Sequence, residues 1–385
     1  FNGAQHIKFQ NLTINATSVD RPVWLTGGTH HITFNNCHIL GNATSTSGLS
    51  CVIAATGSAT SLSTTGNNAD RITISNCKLS GGYYGFTAYG TGTTDYDKGF
   101  VLTDNEFVDQ YYYGIRMYYT DSVVVERNIV TGFRNTFAYG YYGFYNSNIV
   151  MKQNQFFAPT YGLYISQLNT ANATTNSEMS NNFMGGGTYG AYITTYSKLN
   201  VYHNSFGGGT SGYYSFTPNG DVNIRNNIFG GISSYAFYSS TAPATGFTLN
   251  YNIYHSISGA SIAYCATAQS TLAAWKTAQP AFNVNSLQGD PGFVSNTDYH
   301  ILGTFPNGVG QNGLSAIDID GDTRPAAGST TVDIGADEFT PLNWDASLEA
   351  LLVPLGGCGS ATTMVQAVIK NFGMNTITSL PLTVN

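Results

Sequence analysis

The charged side chains of this sequence are few, and one segment contains a concentration of them. Lys, Arg, Asp and Glu make up only 9% of the 385 residues. The charged residues of this segment are Asp104, Glu106, Asp109, Arg116, Asp121, Glu126, Arg127, Arg134 and Lys152. A surface with both acidic and basic groups would suit a polymer of uronic acids. If the chain is an enzyme, the candidate catalytic residues are Asp104, Arg116, Glu126, Arg127 and Lys152.

The same residues also fit a simple pattern of surface salt bridges. The repeat described below places Asp104 beside Arg127 and Glu126 beside Lys152. Opposite charges paired one to one leave no surplus carboxylate for a metal ion and no free base, and exposed pairs contribute little stability. We therefore favour a non-catalytic surface. The enzyme hypothesis stays open, because inserted loops could bring together residues that the repeat does not align.

Metal-binding patterns are weak in this sequence. Asp318, Asp320 and Asp322, with Gly321, resemble part of a calcium loop, but its twelfth position is Ser329 instead of Glu. Asp-Gly is also a common hairpin turn. We expect no cofactor, with Ca²⁺ at these three aspartates as the alternative. The seven histidines show no ligand spacing and are expected in surface or turn positions: His6, His30, His31, His38, His203, His255 and His300.

A short repeat must position all of these residues. Two alternating apolar residues, two polar ones, an Asn, a spacer and another apolar residue recur seven times. The aligned asparagines are Asn105, Asn128, Asn154, Asn182, Asn204, Asn227 and Asn252, at spacings of 23, 26, 28, 22, 23 and 25 residues. A helical repeat would hold its period more tightly. Variable length with a constant strand pattern indicates coils of β-strands stacked about 4.8 Å apart.

The asparagine column is predicted to form a ladder at a sharp inward turn. Asn tolerates left-handed backbone geometry, and its amide can bond to the Asn of the coils on either side. In the first coils, Cys37 and Cys77 align only if they occupy this ladder position, with residues 42–69 bulging out as a Ser/Thr/Gly-rich loop. The two cysteines are then either free stacked thiols or a disulfide, since the coil spacing allows both.

A second motif, Tyr-Gly or a close variant followed by an apolar residue and usually Tyr, precedes each Asn segment. Strand alternation sorts it into two columns. The inward residues are Ile115, Phe144, Leu163, Ala191, Tyr213 and Phe237, and the outward ones are Arg116, Tyr145, Tyr164, Tyr192, Tyr214 and Tyr238. The five outward tyrosines predict either a glycan-binding strip, because aromatic rings stack on sugars, or a structural ladder covered by loops or a neighbouring domain.

Composition excludes several classes of partner. With a net charge of −7 and only 14 Lys and Arg, the chain has no basic patch for nucleic acid. No apolar run approaches the 18 residues of a membrane span. The low charge and the abundance of Gly, Asn and Tyr suit an exported protein, and we expect its export signal upstream of Phe1.

Over about residues 5–265, the repeat resembles the secreted, pectate-lyase-like right-handed parallel β-helix proteins. Residues 290–293, 298–301, 316–325 and 332–339 resemble the segment that caps such helices in secreted bacterial proteins. Residues 342–373 resemble the opening strands of an immunoglobulin-like module of large surface proteins of the Bacteroidota, many exported by the type IX system. The resemblance implies a location outside the cell, or on its surface, after export across the outer membrane, with the secretion machinery as a partner.

We therefore expect an all-β chain with three parts. Residues 1–265 form the coils of the β-helix, residues 266–339 its last coils and cap, and residues 340–385 the truncated start of an immunoglobulin-like β-sandwich. In the family, lyases use a carboxylate cluster holding Ca²⁺ with an Arg or Lys base, or a Lys/Arg pair, and hydrolases use clustered Asp residues. The favoured function is a non-catalytic stalk or adhesin module, with an extracellular polysaccharide or cell-surface glycan as its partner. The alternative is a polysaccharide lyase or glycoside hydrolase acting on an acidic polysaccharide.

Overall fold

Two mainly parallel β-sheets, of 20 and 11 strands in the described part of the chain, run along the coils. The larger sheet bends into two faces, which we call sheets 1 and 3, and the smaller is sheet 2. The computed structural model describes residues 1–171, 173–231, 233–241, 246–257, 261–353 and 365–381. In these residues the chain forms a right-handed β-helix of about 10 turns, with almost no α-helix. The all-β, parallel β-helix class is thereby confirmed.

The sheets are numbered here in the order in which the chain first enters them. Sheet 1 contains Gln5–Gln10, Thr29–Asn35, Ala69–Ser75, Val101–Thr103, Ser177–Ser180, Leu199–Tyr202, Val222–Arg225 and Phe247–Asn250. Sheet 2 contains Thr13–Asn15, His38–Leu40, Lys78–Ser80, Glu106–Val108, Ile129–Thr131, Gln155–Ala158, Phe183–Gly186, Ser205–Gly208, Ile228–Gly231, Ile253–Ser256 and Leu287–Gln288. Sheet 3 contains Val23–Leu25, Cys51–Ala55, Tyr84–Tyr89, Tyr161–Leu168, Tyr189–Tyr196, Ser211–Pro218, Tyr235–Ser239 and Ala263–Cys265.

Two longer strands, Tyr113–Glu126 and Tyr139–Lys152, bend from sheet 3 into sheet 1 without a break. The short strand Asp97–Lys98 pairs with the first of them at Thr120 and Asp121. These strands form because apolar residues alternate with polar ones, so that one face of each strand can be buried. Val123 and Val125 point into the core, as do Ile149 and Met151 one coil later, and all four are fully buried.

The predicted asparagine ladder is present and continuous. Each Nδ2 donates to the Oδ1 of the next ladder asparagine, at 2.8–3.1 Å, from Asn105 through to Asn252. All seven asparagines are buried. One detail of the prediction is wrong: the left-handed backbone belongs to the residue before each asparagine. Those residues are Asp104, Arg127, Gln153, Asn181, His203, Asn226 and Tyr251, with φ between 51° and 58°.

The two cysteines continue the ladder position into the first coils. Cys77 N donates to Asn105 Oδ1 at 2.9 Å, and Cys37 N donates to the Cys77 sulfur at 3.3 Å. Both thiols are free and buried. The free-thiol alternative therefore describes this structure, and burial raises the pKa of the Cys77 thiol to about 11.

The segment between these cysteines differs from the predicted bulge. Within residues 42–69 the strand Cys51–Ala55 is fully buried and joins sheet 3, paired with Val23–Leu25 and Tyr84–Tyr89. The prediction was wrong because this strand, Cys-Val-Ile-Ala-Ala, lacks the Tyr-Gly motif that marks sheet 3 in later coils. The remainder does form an outer loop, whose Leu62 is 3% exposed and packs against Tyr84.

After the last coil the chain first covers the end of the core and then returns along its side. The helix Leu272–Ala278 buries Trp275 against Phe237 and Tyr254, and Thr267–Gln269 pairs antiparallel to Ala263–Cys265. The hairpin Phe293–Ser295 and Asp298–Ile301 follows. We call residues 290–339 the strap, because they lie against sheet 2 and the turn that precedes it.

Contacts far apart in sequence hold the strap in place. Gln153 Nε2 donates to Asp318 O at 2.8 Å, and Ala336 N donates to Ser205 Oγ at 3.1 Å. A buried ion pair between Arg324 and Glu338, at 2.8 Å, closes the strap on itself. Beyond it, Ala346–Val353 pairs antiparallel with Gln366–Asn371. The immunoglobulin-like module stays a prediction, and Cys358 and Asn385 lie outside the described residues.

Candidate binding surface on sheet 3

Sheet 3 carries two columns of tyrosines on its outer side. The first tyrosine column consists of Tyr84, Tyr113, Tyr139, Tyr161 and Tyr189. Neighbouring rings stack at centroid distances of 4.7–5.2 Å and interplanar angles of 3–20°. The second tyrosine column consists of Tyr142, Tyr164, Tyr192, Tyr214, Tyr238 and Tyr264. Its rings stack at 4.0–5.2 Å and 4–11°.

The second column confirms the outward position of most of the predicted strip but corrects one member. Tyr145 does not belong to it, since the partner of Tyr164 is Tyr142. Tyr145 stacks instead on Tyr119, at 5.3 Å, in the bend between sheets 3 and 1. Phe144 was predicted to face inward in this coil, but that position is occupied by the fully buried Tyr141.

A column of glycines explains the corrected register. The chain reads Tyr-Gly twice in this coil, at Gly140 and at Gly143. Gly140 is stacked between its counterparts on the neighbouring coils: a Cβ on Gly114 would lie 2.7 Å from Gly140 O, and one on Gly140 would lie 2.4 Å from Gly162 O. Only glycine fits at such a close backbone approach. The glycine column therefore selects the first Tyr-Gly and sets which tyrosines face outward.

The two tyrosine columns interlock edge to face. Tyr139 meets Tyr142 at 90° and Tyr161 meets Tyr164 at 87°, an arrangement that the aromatic quadrupole favours. Because each ring covers part of the next, the rings of both columns are half-buried, except that of Tyr84, which is buried. The columns therefore present ring edges and phenol hydroxyls to solvent more than whole ring faces.

The pKa is raised for most tyrosines of these columns, so the hydroxyls of those residues stay protonated over the ordinary pH range. Burial, followed by repulsion from neighbouring phenols, raises the pKa of Tyr192 to about 12. The pKa of Tyr164 is raised by the same two causes. Neutral phenols can both donate and accept hydrogen bonds, so the surface is a repeated polar row on an apolar base.

Arg116 occupies the outward position that precedes Tyr142 in the second column, as predicted, but it is not exposed. Only 7% of its surface is accessible, because the outer loop of residues 56–66 covers it. Its guanidinium donates to Leu62 O and Ser63 Oγ and lies 4.6 Å from the Tyr118 ring centroid. The outward position was predicted correctly, but the loop that covers this arginine was not, and the loop and the rings together satisfy its charge.

The other candidate catalytic residues are held in surface ion pairs on sheets 1 and 2. Arg127 binds Asp104 through two contacts, of 2.6 and 2.9 Å, and approaches Glu126 at 3.4 Å. Glu126 and Lys152 are register neighbours as predicted, yet Lys152 pairs with Glu178 at 3.1 Å. Lys78 pairs with Glu106 at 2.8 Å. The structure therefore does not bring these five candidates together, because Arg116 lies on sheet 3 under its own loop.

The three calcium-loop aspartates lie in the strap, where two of them belong to a cluster. Carboxylate oxygens of Asp318, Asp320 and Asp337 lie within 4.8 Å of one another, and Asp322 is not among them. Asp318 Oδ1 accepts from the backbone N–H of Asp320 and of Asp322, at 2.9 and 2.8 Å. These bonds shape a tight turn, and calcium binding stays a prediction.

Three histidines that showed no ligand spacing in the sequence converge in space. The ring nitrogens of His6, His30 and His31 lie within 4.8 Å of one another. The expectation of scattered surface histidines was wrong for these three. The aligned spacing of His6 and His31, 25 residues apart in a chain with coils of that length, was the available signal.

A groove lies away from the tyrosine columns, between the strap and sheet 2. Its volume is about 540 Å³, and glycines form its floor: Gly185, Gly186, Gly187, Gly207, Gly208, Gly209, Gly230 and Gly231. Phe157, Phe293 and Tyr299 form its walls. Tyr299 lies so close to Gly207 that a Cβ there would be 2.3 Å from its hydroxyl. The glycines thus make room for the strap.

Comparison with known protein families supports the β-helix architecture. A family model described as right handed beta helix region matches residues 22–206. No curated protein matches the chain, and no solved structure matches it either. In the part of the chain that the structure describes, no helix is long and apolar enough to cross a membrane.

Proposed function

We propose that this chain is a non-catalytic module of an exported protein, and that it binds a glycan chain along the second tyrosine column. The single observation that carries the proposal is the register of this column. Six tyrosines occupy the same outward position on consecutive coils, from Tyr142 to Tyr264. A surface that repeats at about 4.8 Å suits a ligand that also repeats along its length.

The chemistry of the column favours a neutral polysaccharide. Its six side chains carry hydroxyls and no charge, and the raised pKa of Tyr164 and of Tyr192 keeps these phenols neutral. Sugar hydroxyls need partners that both donate and accept, and a phenol does both. The covered guanidinium of Arg116 is turned to the outer loop, so it is not available to an acidic sugar.

The ion pairs support the non-catalytic part of the proposal. A lyase of an acidic polymer needs a base that is free to take a proton. Arg127 is engaged with Asp104, Lys152 with Glu178 and Lys78 with Glu106. The aligned face between residues 104 and 152 therefore offers paired charges where a lyase would hold a free base.

The location of the module is part of the proposal. We infer a secreted or cell-surface protein of the Bacteroidota, exported across the outer membrane by the type IX machinery, with an immunoglobulin-like module after the strap. The low charge and the surface rich in Tyr, Asn and Ser support export. Fractionation of cells that express the native gene should recover the chain outside the outer membrane, and recovery from the cytoplasm would contradict this part.

The test is a binding and turnover screen against neutral and uronic-acid polysaccharides, with and without Ca²⁺. We expect saturable binding of a neutral polysaccharide and no release of unsaturated or reducing-end products. Tyr164→Ala together with Tyr192→Ala should weaken binding by at least about tenfold, as is typical of aromatic contact residues. Tyr202→Ala, which removes a half-buried tyrosine from sheet 1, is the matched control and should leave binding unchanged.

Phenylalanine variants separate the two contributions of the column. Tyr164→Phe with Tyr192→Phe keeps the stacked rings and removes two hydroxyls, so it should reduce binding while the melting temperature changes little. Product release by the unmodified chain would overturn the non-catalytic proposal. Silence across the panel, or binding that the alanine pair does not reduce, would overturn the assignment of the tyrosine column.

A further inference from the structure

His6, His30 and His31 form an exposed cluster of imidazoles on the first two coils. His30 Nδ1 and His31 Nδ1 are 2.7 Å apart. The rings of His6 and His31 stack at 4.5 Å with an interplanar angle of 18°. His6 and His31 are exposed and His30 is half-buried, so solvent reaches all three.

The backbone explains how adjacent histidines come to share one side of the sheet. Successive residues of a strand normally point to opposite faces. His31 has a φ of 54°, which interrupts the alternation and turns its ring toward that of His30. His6 has the same φ, and the register of Gln5 with His30 and of Ile7 with Ile32 places His6 directly opposite His31.

We propose that His6, His30 and His31 bind a divalent transition-metal ion of the zinc, copper or nickel class. Imidazole nitrogen is a preferred ligand of these ions, whereas Ca²⁺ and Mg²⁺ prefer oxygen. Three protein ligands leave at least one coordination position open to water or to a ligand from solution. The site is distinct from the tyrosine columns, and its test does not depend on the proposed glycan binding.

Metal binding requires only small movements of exposed side chains. Ligand nitrogens around a tetrahedral ion with bonds of 2.0–2.1 Å are roughly 3.3 Å apart. His30 Nδ1 and His31 Nδ1 are 2.7 Å apart, so this pair must open, and one ring nitrogen of each histidine lies within 4.8 Å of the other two. Because the cluster is exposed, rotation of the rings meets no packed core.

Two residues of opposite charge on the next coil face the cluster and shift the pKa of His31 in opposite directions. Asp70 is the register partner of His30, and Arg71 follows it directly opposite His31. Asp70 Oδ1 accepts from Lys98 N at 2.6 Å, which fixes the carboxylate near the cluster. Desolvation, His6, His30 and Arg71 lower the pKa of His31, while Asp70 raises it. The lowered pKa favours the neutral imidazole of His31, which is the form that binds a metal ion.

The experiment is calorimetric titration of the chain with ZnCl₂ and, separately, with CuCl₂ at pH 7.5, using untagged protein treated with a chelator. We expect one saturable site per chain. His30→Asn with His31→Asn should weaken the affinity by at least about tenfold, since two of three ligands are lost. Asn suits position 31 because it tolerates a positive φ. His38→Asn with His255→Asn, two histidines outside the cluster, is the matched control and should bind as the unmodified chain does.

Variants of the neighbouring charges sharpen the assignment to this surface. Arg71→Gln removes a repelling cation and should tighten binding, whereas Asp70→Asn should weaken it. Neither side chain is a proposed ligand, so both effects would be electrostatic and would diminish at high salt. Lowering the pH to 5.5 should also weaken binding, because protons compete for the imidazoles.

Folding and binding are separated by the melting temperature without metal. The double histidine variant should melt with the unmodified chain in chelator, and only the unmodified chain should gain stability when zinc is added. Absence of saturable binding by the unmodified chain would overturn the proposal. Persistence of a one-to-one site in the double histidine variant would overturn it as well.

Discussion

Asn154 shows how much of the structure depends on single side chains of the ladder. Its Nδ2 donates to Asn182 Oδ1 and to Val125 O, at 2.9 and 2.7 Å. Its Oδ1 accepts from Asn128 N and from Asn128 Nδ2, both at 3.0 Å. With no accessible surface, none of these groups can turn to water instead.

Asn154→Ala should therefore be strongly destabilising. The variant leaves a buried N–H of Asn128 without its acceptor and opens a small cavity, so the free energy of unfolding should fall by about 3 kcal/mol. Asn200→Ala removes a half-buried asparagine of sheet 1, bonded to Asn176 and Asn223, and should cost less than about 1 kcal/mol. Equal effects of the two variants in urea titration would contradict a dominant role of the ladder.

At this scale the sequence predicts repeated polar residues better than clustered ones. The ladder asparagines were identified in full because seven consecutive coils repeat them. The cluster of His6, His30 and His31 was missed because strand alternation puts adjacent residues on opposite faces, and the positive φ of His31 is not encoded in a recognisable turn motif. The outward position of Arg116 was predicted, but its cover was not, because the loop that covers it lies about 54 residues earlier in the chain, at Leu62.

At the scale of elements, the glycine floor of sheet 2 and the strap fit each other. The Tyr299 ring lies on Gly207, and its edge contacts Phe157 and Phe183. A side chain at position 207 would occupy the place of the Tyr299 ring. Position 207 therefore requires glycine because a side chain would not fit, and not because of its backbone conformation, since Gly207 has no positive φ.

Gly207→Ala should loosen the strap without unwinding the coils. The new Cβ would lie 2.3 Å from the Tyr299 hydroxyl, so the Tyr299 ring must move away from position 207. Limited proteolysis should cleave the strap faster than in the unmodified chain, and the free energy of unfolding should fall by about 1–3 kcal/mol. Gly48→Ala is the control, because nothing lies within 4 Å of a Cβ there. Unchanged cleavage of the strap would contradict this account.

The sheet 3 strands could be predicted from sequence only up to their register. The motif aligned five coils correctly, but residues 139–145 contain two Tyr-Gly pairs, at Gly140 and at Gly143. Strand alternation alone does not choose between them. The choice depends on close backbone contacts with Gly114 and Gly162, which belong to other coils. The strap was recognised as a terminal segment, whereas its path along sheet 2 depends on contacts such as Gln153 with Asp318, 165 residues apart.

Across the whole molecule, buried titratable groups give stability a definite dependence on pH. Burial raises the pKa of Asp97 and of Asp333 to about 7, and that of Asp337 to about 6. A carboxyl group with a raised folded pKa stabilises the fold below its unfolded pKa, and this stability is lost as the pH rises through the folded value. Burial lowers the pKa of His203 well below its usual value, which acts in the opposite direction below about pH 6.5.

The chain should therefore be more stable at pH 5 than at pH 7.5, because the raised pKa values of Asp97, Asp333 and Asp337 outweigh the lowered pKa values of His203 and of the exposed His31. Melting followed by circular dichroism at both pH values measures the difference. Asp97→Asn keeps the size of the side chain and its acceptor for Ala69 N while removing the titration. It should raise stability at both pH values, by on the order of 1–3 kcal/mol more at pH 7.5 than at pH 5, because the cost of the buried carboxyl grows as the pH rises toward its folded pKa. Higher stability of the unmodified chain at pH 7.5 would contradict the assignment.

The asparagine ladder also bears on how such a chain can change over evolutionary time. Each ladder asparagine offers its neighbour the same donor and acceptor that it receives from the other side. The hydrogen bond between neighbours is therefore the same at every step of the ladder. An in-frame duplication running from one ladder asparagine to the next would insert a coil whose ends already match, and a deletion between two of them would rejoin matching coils. Recombination between repeats can therefore alter the length of the molecule, and with it the number of tyrosines in each column, without requiring any new contact to arise.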